Sequence, residues 1–567
     1  MVDDLAGKPT NVAAPSRNSA QALVQCLALN GVNRVFLVPG ESYLPVIDAL
    51  FDVRDQIEVI TCRHEAAAAN MAVAHARLTG RPGVVMVTRG PGATHASIGI
   101  HNAEQDSAPV LLFVGQIAAR HRGRGAFQEI DYGQMYGGIA KLALEITHAD
   151  RTVELVNRAL ITAQTGRKGP VVISLPEDVL EQDSGAYRPV ALNIARADFP
   201  THVLEPIRQK LAAAKRPLLI LGGMGWTQDA CDRLRVWAEA LNLPVALSFR
   251  RKDTIDNNSR AYVGDLALGP NPKLIAWTKR ADMLLVIGAR LGENPSQAFT
   301  LFTPNETAQL MTHIHPGAEE LGRVWPVAIS AVAEPPEAVQ ALTSLELEPF
   351  DDAWRAEARA DYEAFAAPIP AEGPVNMSEI VNYLSGATAA DAIICSGAGN
   401  FAAWLARFYK HRRIHTQLAP ISGGMGFGLP AAVGAKLAFP EREVICFCGD
   451  GDFLMCGQDL ATAMRYGVNV VTVVVDNGAY GTIRMHQERD YPDRIIATGL
   501  TNPDFAAYAR AFGAWATTVE RTADFAAAYE EARAAGRPAL IHVKVALEDI
   551  SPGKTLKSIH GTGVIQP

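Results

Sequence analysis

Cysteine is scarce in this sequence, with seven in 567 residues. An odd count without a secretory pattern argues against a disulfide framework and points to reduced thiols in a cytoplasmic setting. No apolar run approaches the ~18 residues of a membrane span. Val470–Val475, interrupted only by Thr472, has the length of a buried parallel strand instead. The first twenty residues carry an acidic pair, Asp3-Asp4, and no apolar stretch, so a signal peptide is not expected. Lys plus Arg number 52 against 60 Asp plus Glu, a net charge of −8. Without a basic excess, neither nucleic acid nor an anionic membrane is an expected partner. No G-x-S-x-G elbow occurs, and Cys446 and Cys448 have no second Cys/His pair at zinc spacing, so they read as core residues.

What is present is ordinary globular composition, 48% apolar and 20% charged. At roughly 150 residues per domain, the length predicts three or four domains. Residues 1–16 are polar and unpatterned and read as a flexible tail. From there helical patterns alternate with short apolar runs, which predicts parallel sheets with ligand sites at strand C-terminal ends. An N-terminal unit, 17–185, holds helices at Asn18–Leu29 and Glu65–Leu78 and strands at Val35–Val38, Val84–Val87, Val110–Val114 and Val171–Leu175. A middle unit, 195–345, has strands at Pro217–Leu221, Pro244–Leu247, Met283–Ile287 and Gln309–His313. A linker spans about 345–375 and ends in the Pro-rich Pro368–Pro374. A C-terminal unit, 370–550, has strands at Ala392–Cys395, Glu443–Cys448, Val468–Val475 and Ala539–Val545. Residues 551–567 read as a flexible tail or an active-site cover. The fold class is α/β, with three doubly wound parallel-sheet domains. The first and third share a size and rhythm, as if duplicated around the middle one.

The strongest local signal is a buried strand that runs into Gly449-Asp450-Gly451-Asp452 and then a helical stretch. Glycines let backbone approach a phosphate, a helix N-terminus offers free N–H groups, and Asp450 is a hard oxygen ligand for Mg²⁺. No Gly-Lys-Ser/Thr follows this turn, so it is not a P-loop. A second buried strand ends in Asp476-Asn477-Gly478-Ala479-Tyr480-Gly481, with Asn477 placed 27 residues after Asp450. That spacing fits one helix and one returning parallel strand, so Asp450 and the Asn477 amide oxygen converge on one cation, with a carbonyl near Ala479 as a third ligand. Taken alone, Gly-Asp-Gly is equally an ordinary strand–turn–helix connection.

Gly449-Asp450-Gly451 followed by Asp476-Asn477 resembles the cofactor fingerprint of thiamine diphosphate enzymes, and in particular the acetolactate synthase-like family that includes pyruvate oxidase and the 2-oxoacid decarboxylases. The resemblance covers nearly all of residues 18–550. That family usually has Asn-Asn where Asp476-Asn477 stands, and the second member, the metal ligand, is kept. The resemblance implies a pyrimidine-binding, a middle and a diphosphate-binding domain, with thiamine diphosphate and Mg²⁺ as cofactors. Arg63-His64-Glu65 looks like the block whose Glu hydrogen-bonds the aminopyrimidine ring, which makes Glu65 the catalytic carboxylate. A carboxyl in an apolar wall such as Ala66–Ala69 is placed to exchange a proton near neutrality. The bent cofactor needs an apolar wedge, and Gly423-Gly424-Met425 resembles the block that supplies it through Met425. Ala398-Gly399-Asn400-Phe401 resembles a second diphosphate-contact loop, while Asp452, Tyr480 and Gly481 extend the first. In this family the glutamate's domain faces the diphosphate domain of another subunit, which implies a homodimer or a homotetramer.

On the substrate side, Pro39-Gly40-Glu41 resembles the loop beside the reacting carbonyl, and Ala126-Phe127-Gln128-Glu129 resembles the acetolactate synthase stretch whose Phe and Gln lie near the substrate. Arg89, in Thr88-Arg89-Gly90-Pro91-Gly92, is either a carboxylate contact or a surface residue. The cluster Arg120, His121, Arg122 and Arg124 either holds an anion or is solvated. The family's pocket-shaping Trp is replaced near His486, which either acts as an acid/base or lines the pocket. Gly222-Gly223-Met224-Gly225 and Gly288-Ala289-Arg290 resemble nucleotide loops that hold FAD in some relatives. The usual acidic turn is replaced by His313-Ile314-His315-Pro316, so FAD and no flavin stand as alternatives. The implied reaction joins or breaks a C–C bond next to a carbonyl. Decarboxylative carboligation of a 2-oxoacid such as pyruvate leads; an acyl-CoA-type lyase, a simple decarboxylase or a diketone hydrolase is the alternative.

Overall fold

The computed structural model describes residues 17–563; the tail read at 1–16 and residues 564–567 lie outside them. Three six-stranded, all-parallel sheets carry the chain. The first holds β1 (Arg34–Leu37), β2 (Glu58–Thr61), β3 (Gly83–Val87), β4 (Val110–Gln116), β5 (Leu142–Glu145) and β6 (Val171–Pro176), in the order β2-β1-β3-β4-β6-β5. The second holds β7 (Pro217–Leu221), β8 (Val245–Ser248), β9 (Tyr262–Leu266), β10 (Met283–Ile287), β11 (Met311–His315) and β12 (Ile329–Val332), in the order β12-β11-β10-β7-β8-β9. The third holds β13 (Ile393–Ser396), β14 (Gln417–Leu418), β15 (Val444–Gly449), β16 (Val471–Asp476), β17 (Trp515–Val519) and β18 (Ala539–Lys544), in the order β14-β13-β15-β16-β18-β17.

Counted within each unit, the first and third sheets have one and the same strand order, which gives the suspected duplication a topological form. The middle sheet has the doubly wound order of a nucleotide-binding fold. In such sheets the order reverses at a switch point, and crevices open there at the strand C-termini. The three switch points lie between β1 and β3, β7 and β10, and β13 and β15. The glycine-bearing motifs singled out above, Gly40 with Gly90, Gly222-Gly223 with Gly288, and Gly399 with Gly449, follow these six strands.

Three helices join the outer sheets back to back. The Ala-rich helix Glu65–Thr79 is buried from Glu65 to Leu78, between the helix Pro91–Asp106 and the C-terminal-domain helix Gly428–Ala438. Small residues make this possible. A Cβ on Gly99 would lie 2.2 Å from the Ala69 Cβ, and one on Gly434 would lie 2.9 Å from the Met71 carbonyl oxygen.

Three readings change, the simplest being the strand read at Val468–Val475, which begins at Val471. The stretch read as a linker at 345–375 contains a helix, Asp352–Phe365, whose Trp354 packs edge-on to Trp277 of the middle domain at 4.5 Å between ring centroids. The strand read at Gln309–His313 begins two residues later, because Thr303 and Glu306 form a capping box for a helix that runs to Leu310.

Candidate active site

The C-terminal half of the site grows from two adjacent strand ends. β15 pairs with β16 so that Gly449 lies opposite Val475, and Asp450 and Asp476 therefore leave the sheet side by side, with Asn477 next. Asn502 bridges the acids, its Nδ2 donating to Asp450 Oδ2 at 2.7 Å and to Asp476 Oδ1 at 2.8 Å. Burial pushes the Asp450 carboxyl up to about 6; the Asn502 amide opposes the rise and the neighbouring Asp476 adds to it. For Asp476 burial is outweighed by His542, 2.8 Å away, and by the Gly478 N–H, so its carboxyl is held below the ordinary range. Asp450 and the Asn477 amide thus present hard oxygens at adjoining strand ends, a donor set that suits Mg²⁺.

The loops around these acids make the cradle. Asn477 Oδ1 accepts from the Ala479 N–H at 3.1 Å, and the Tyr480 ring covers Gly451 so closely that a Cβ there would come within 2.6 Å. Gly481 lies against the Asn477 side chain. Beside β13, Asn400 accepts from the Thr482 hydroxyl and donates to the Ile550 carbonyl, both at 2.9 Å. The Phe401 ring lies against both Gly399 and Gly449. Asp452 ties the loops together: its Oδ1 accepts from the Gly426 N–H at 2.8 Å and the Ala398 N–H at 3.3 Å. Burial pushes this carboxyl up to about 6 against those donors. Its Oδ2 is buried with no N–H or O–H partner among the described residues, and the Cys448 thiol is the only further group that opposes the rise by hydrogen bonding. Gly423 has φ +75° and open space beside it, and Met425 lines the same hollow.

Together these residues wall a cavity of about 900 Å³, which also reaches Arg250, His486, Ser551 and Lys554. His486 Nδ1 accepts from the Arg489 guanidinium at 2.9 Å, which leaves Nε2 as the ring's donor. The segment read as a tail or a cover rims this cavity. Leu556 and Ile559 pack with Ile550 and Met485, and His560 Nδ1 is 2.5 Å from Glu488.

A second cluster lies at the β1/β3 switch point. A Cβ on Gly40 would be 2.4 Å from the Thr88 Cβ, and one on Gly90 would be 2.8 Å from the Gln128 Cβ. Gln128 holds φ +65° to make that approach. Glu65 opens its helix with only 9% exposure, and its Oε2 is 3.0 Å from His95 Nδ1. The fold therefore gathers Gly40, Gln128 and Glu65, and separately gathers Ala398, Gly399, Asn400, Phe401, Gly423, Met425, Gly449, Asp450, Gly451, Asp452, Asn477, Ala479, Tyr480, Gly481 and His486. None of the first three walls the large cavity of the same chain.

The Arg89 guanidinium is engaged by Glu177 at 2.9 Å and Glu41 at 3.4 Å, so the carboxylate-contact reading of Arg89 gives way to an internal ion pair. Arg122 likewise meets Glu145 and Glu129 at 3.2 and 3.7 Å. The sequence reading did not single out His95, Asn502 or His542, since each stands outside the glycine motifs and is recruited only by folding. At the middle switch point a Cβ on Gly223 would lie 2.0 Å from the Gly288 carbonyl oxygen, and the adjacent cavity is about 20 Å³. Burial lowers the proton affinity of both His313 and His315 there. No chemistry is assigned through a flavin.

The cradle does fit a diphosphate ester held through a cation. Glycines clear the backbone, hard oxygens stand at the strand ends, and a buried carboxylate oxygen without an N–H or O–H partner points to an amine or N–H donor. Family models agree with this assignment. Residues 17–135 match the thiamine pyrophosphate enzyme N-terminal TPP-binding domain, 204–342 the central domain and 397–543 the C-terminal TPP-binding domain. Among curated proteins the chain is similar to acetolactate synthase isozyme 2 large subunit of Escherichia coli, 30% identical over 94% of this chain and 97% of that protein. It is 32% identical to the isozyme 1 large subunit of the same organism, over 94% of each chain. It is also 32% identical to an acetolactate synthase large subunit of Parasynechococcus marenigrum, over 88% of this chain and 82% of that one.

Proposed function

The chain belongs to the thiamine pyrophosphate-dependent enzymes, and from that premise we propose an acetolactate synthase-like decarboxylative carboligation of a 2-oxoacid such as pyruvate. The observation that carries this reading is the division of one site into two halves. The Glu65 face has the helix-opening glutamate and no diphosphate cradle, and the Asp450 face has the cradle without that glutamate. Both faces expose apolar side chains. Phe127 is 75% exposed on one, and Leu454, Met455, Tyr480 and Ile483 are exposed on the other. A second copy of the chain in a homodimer, or two such dimers in a homotetramer, would bring the halves together.

Asp450, Asn477 and the carbonyl at Ala479 would hold Mg²⁺ and, through it, the diphosphate. Thiamine diphosphate, when bound, supplies a nucleophilic carbon and an electron sink for the carbon that loses CO₂. Glu65 would hold and exchange a proton with the aminopyrimidine ring, Met425 would pack against the cofactor, and Gly40 and Gln128 would shape the space for the substrate carbonyl. The apolar walls exclude water so that the acceptor carbonyl, rather than a proton, is met. A lyase or simple decarboxylase is the second reading, favoured by His486, a proton-carrying side chain that lines the cavity. Incubation with a panel of 2-oxoacids and mass spectrometry of the products decides. Acetolactate from pyruvate supports carboligation, and acetaldehyde alone selects the second reading. Glu65→Gln lowers turnover by about 10²–10⁴-fold in either case, and full activity in that variant would overturn both. A visible absorption spectrum of the purified protein reads the flavin question directly.

A further inference from the structure

The two oxygens of Glu65 have different surroundings. Oε2 lies 3.0 Å from His95 Nδ1. Oε1 lies on the Gly92 side, where a Cβ would stand in contact with it at 3.4 Å, and the absence of that side chain is what leaves room there. His95 stands in the second turn of the helix Pro91–Asp106, and its ring is stacked on His64 with centroids 4.7 Å apart and planes at 28°. His64 is itself fixed, because its Nδ1 accepts from the Ala66 N–H at 3.1 Å and caps the helix that Glu65 begins. Burial, and then the neighbouring His95, lower the proton affinity of His64, which keeps it a neutral platform. The Tyr43 hydroxyl, the other titratable group that senses Glu65, is spent on the Val38 carbonyl at 2.6 Å. Ligand atoms of His64, Glu65 and His95 lie within 4.8 Å of one another, a spacing that a metal would tolerate. Imidazole lone pairs lie in the ring plane, however, and two nearly parallel stacked rings do not aim them at one ion. The stack instead orients His95 toward the carboxyl.

We propose that His95 is a positioning residue for Glu65. Its Nδ1–H holds Oε2, so the carboxyl's mobile proton is carried on Oε1, on the open side next to Gly92. The proposal rests on the reading of Glu65 as the proton donor to the aminopyrimidine ring. The proton leaves Oε1 for the ring nitrogen and returns to Oε1, while the Nδ1 proton stays on His95 throughout. An N–H donor serves both states of the carboxyl and binds the ionised one more strongly. Removing it leaves the carboxyl free to rotate and to offer the wrong oxygen.

The test uses the full-length protein with thiamine diphosphate and Mg²⁺. Exchange of the cofactor's C2 proton for deuterium is followed by NMR after acid quench, and cofactor affinity is measured by calorimetry. His95→Ala is expected to slow exchange by about tenfold to a hundredfold, the loss of one hydrogen bond to a charged group. Cofactor affinity should change by less than about threefold. His95→Phe, which keeps a ring to stack on His64 but has no donor, should be as slow as His95→Ala. His95→Asn, whose Nδ2 reaches the position of Nδ1, should restore exchange. The double variant Glu65→Gln, His95→Ala should be no slower than Glu65→Gln alone. Wild-type exchange in His95→Phe together with slow exchange in Glu65→Gln would overturn the role of His95 and leave Glu65 standing. Wild-type exchange in Glu65→Gln would overturn both.

Discussion

Asp459 shows what a single buried carboxyl does to this protein. It is fully buried, and its Oδ1 accepts from the Thr462 hydroxyl at 2.9 Å. Burial pushes the carboxyl up to about 7, opposed by the Thr462 hydroxyl and by the backbone N–H and charge of Arg63, just ahead of Glu65 in the chain. A folded value above the unfolded one means that this group's stabilisation is complete below about pH 4 and is lost as pH rises through about 7. Asp459→Asn keeps the acceptor for Thr462 and never ionises. Its advantage over the native chain should grow from pH 4 to pH 7 and level off at about 2–4 kcal/mol by pH 8. Thermal midpoints at pH 5 and pH 8 check this, and an equal difference at both would contradict it. Such a residue is invisible in the sequence, where Asp459 is one acid among many. Asp450 and Asn477 were legible because glycines and buried strands frame them in register. Asn502 and His542, which hold the same acids in place, were not, because nothing local marks a side chain whose partner lies 26 or more residues away.

Among elements, the strands that were legible in the sequence and those that were not divide by position. The unread strands are β2, β5, β9, β12, β14 and β17, and each is the edge of its sheet. A central parallel strand is covered on both faces and reads as an unbroken apolar run. Most of these edge strands are half solvated or very short: β5 is nowhere fully buried, β12 is alternately exposed, and β14 has two residues, while β9 is buried but its apolar run is broken by Gly264 and Asp265. The Ala-rich helix was read correctly as a helix, but its composition serves a three-helix contact more than helix propensity. Gly99 separates the two effects. Replacing it by Ala improves intrinsic helix propensity by about 1 kcal/mol. The new Cβ would also stand 2.2 Å from the Ala69 Cβ and 3.1 Å from its backbone, in a place where two helix backbones would have to part. Overpacking of that kind costs about 1–3 kcal/mol, and a backbone neighbour cannot swing away. Gly99→Ala should therefore lower the thermal midpoint, and an unchanged or raised midpoint would show that the helices separate freely.

At the scale of the whole molecule, the helix packing that joins the outer domains also keeps the Glu65 and Asp450 clusters of one chain apart. The helix Pro91–Asp106 starts beside Glu65 and ends against the loop of the other half, where Asn102 bonds Ser422. His95 and Asn102 are seven residues apart on it, about 10 Å along the axis. The middle domain adds to the separation. Lys252 is buried and donates to the Ala406 and Tyr409 carbonyls at 2.6 and 2.7 Å, while Asp253 accepts from the Thr416 and Gln417 N–H groups at 3.0 and 3.2 Å. On the proposed reading, a chain braced in this way would close its site by meeting a second copy, not by folding one outer domain onto the other. The consequence is complementation between two inactive variants. Glu65→Gln spoils one half-site and Asp450→Ala the other, so each homodimer is dead at both positions. A mixed dimer pairs the two damaged halves at one position and the two intact halves at the other. Co-expression in equal amounts should give half mixed dimers and therefore about a quarter of the wild-type sites. Activity near that fraction is the expected result, with thiamine diphosphate bound at about half of the wild-type stoichiometry, because every Glu65→Gln chain keeps its diphosphate cradle. A co-expressed mixture as inactive as either parent would mean that both halves serve a site within one chain.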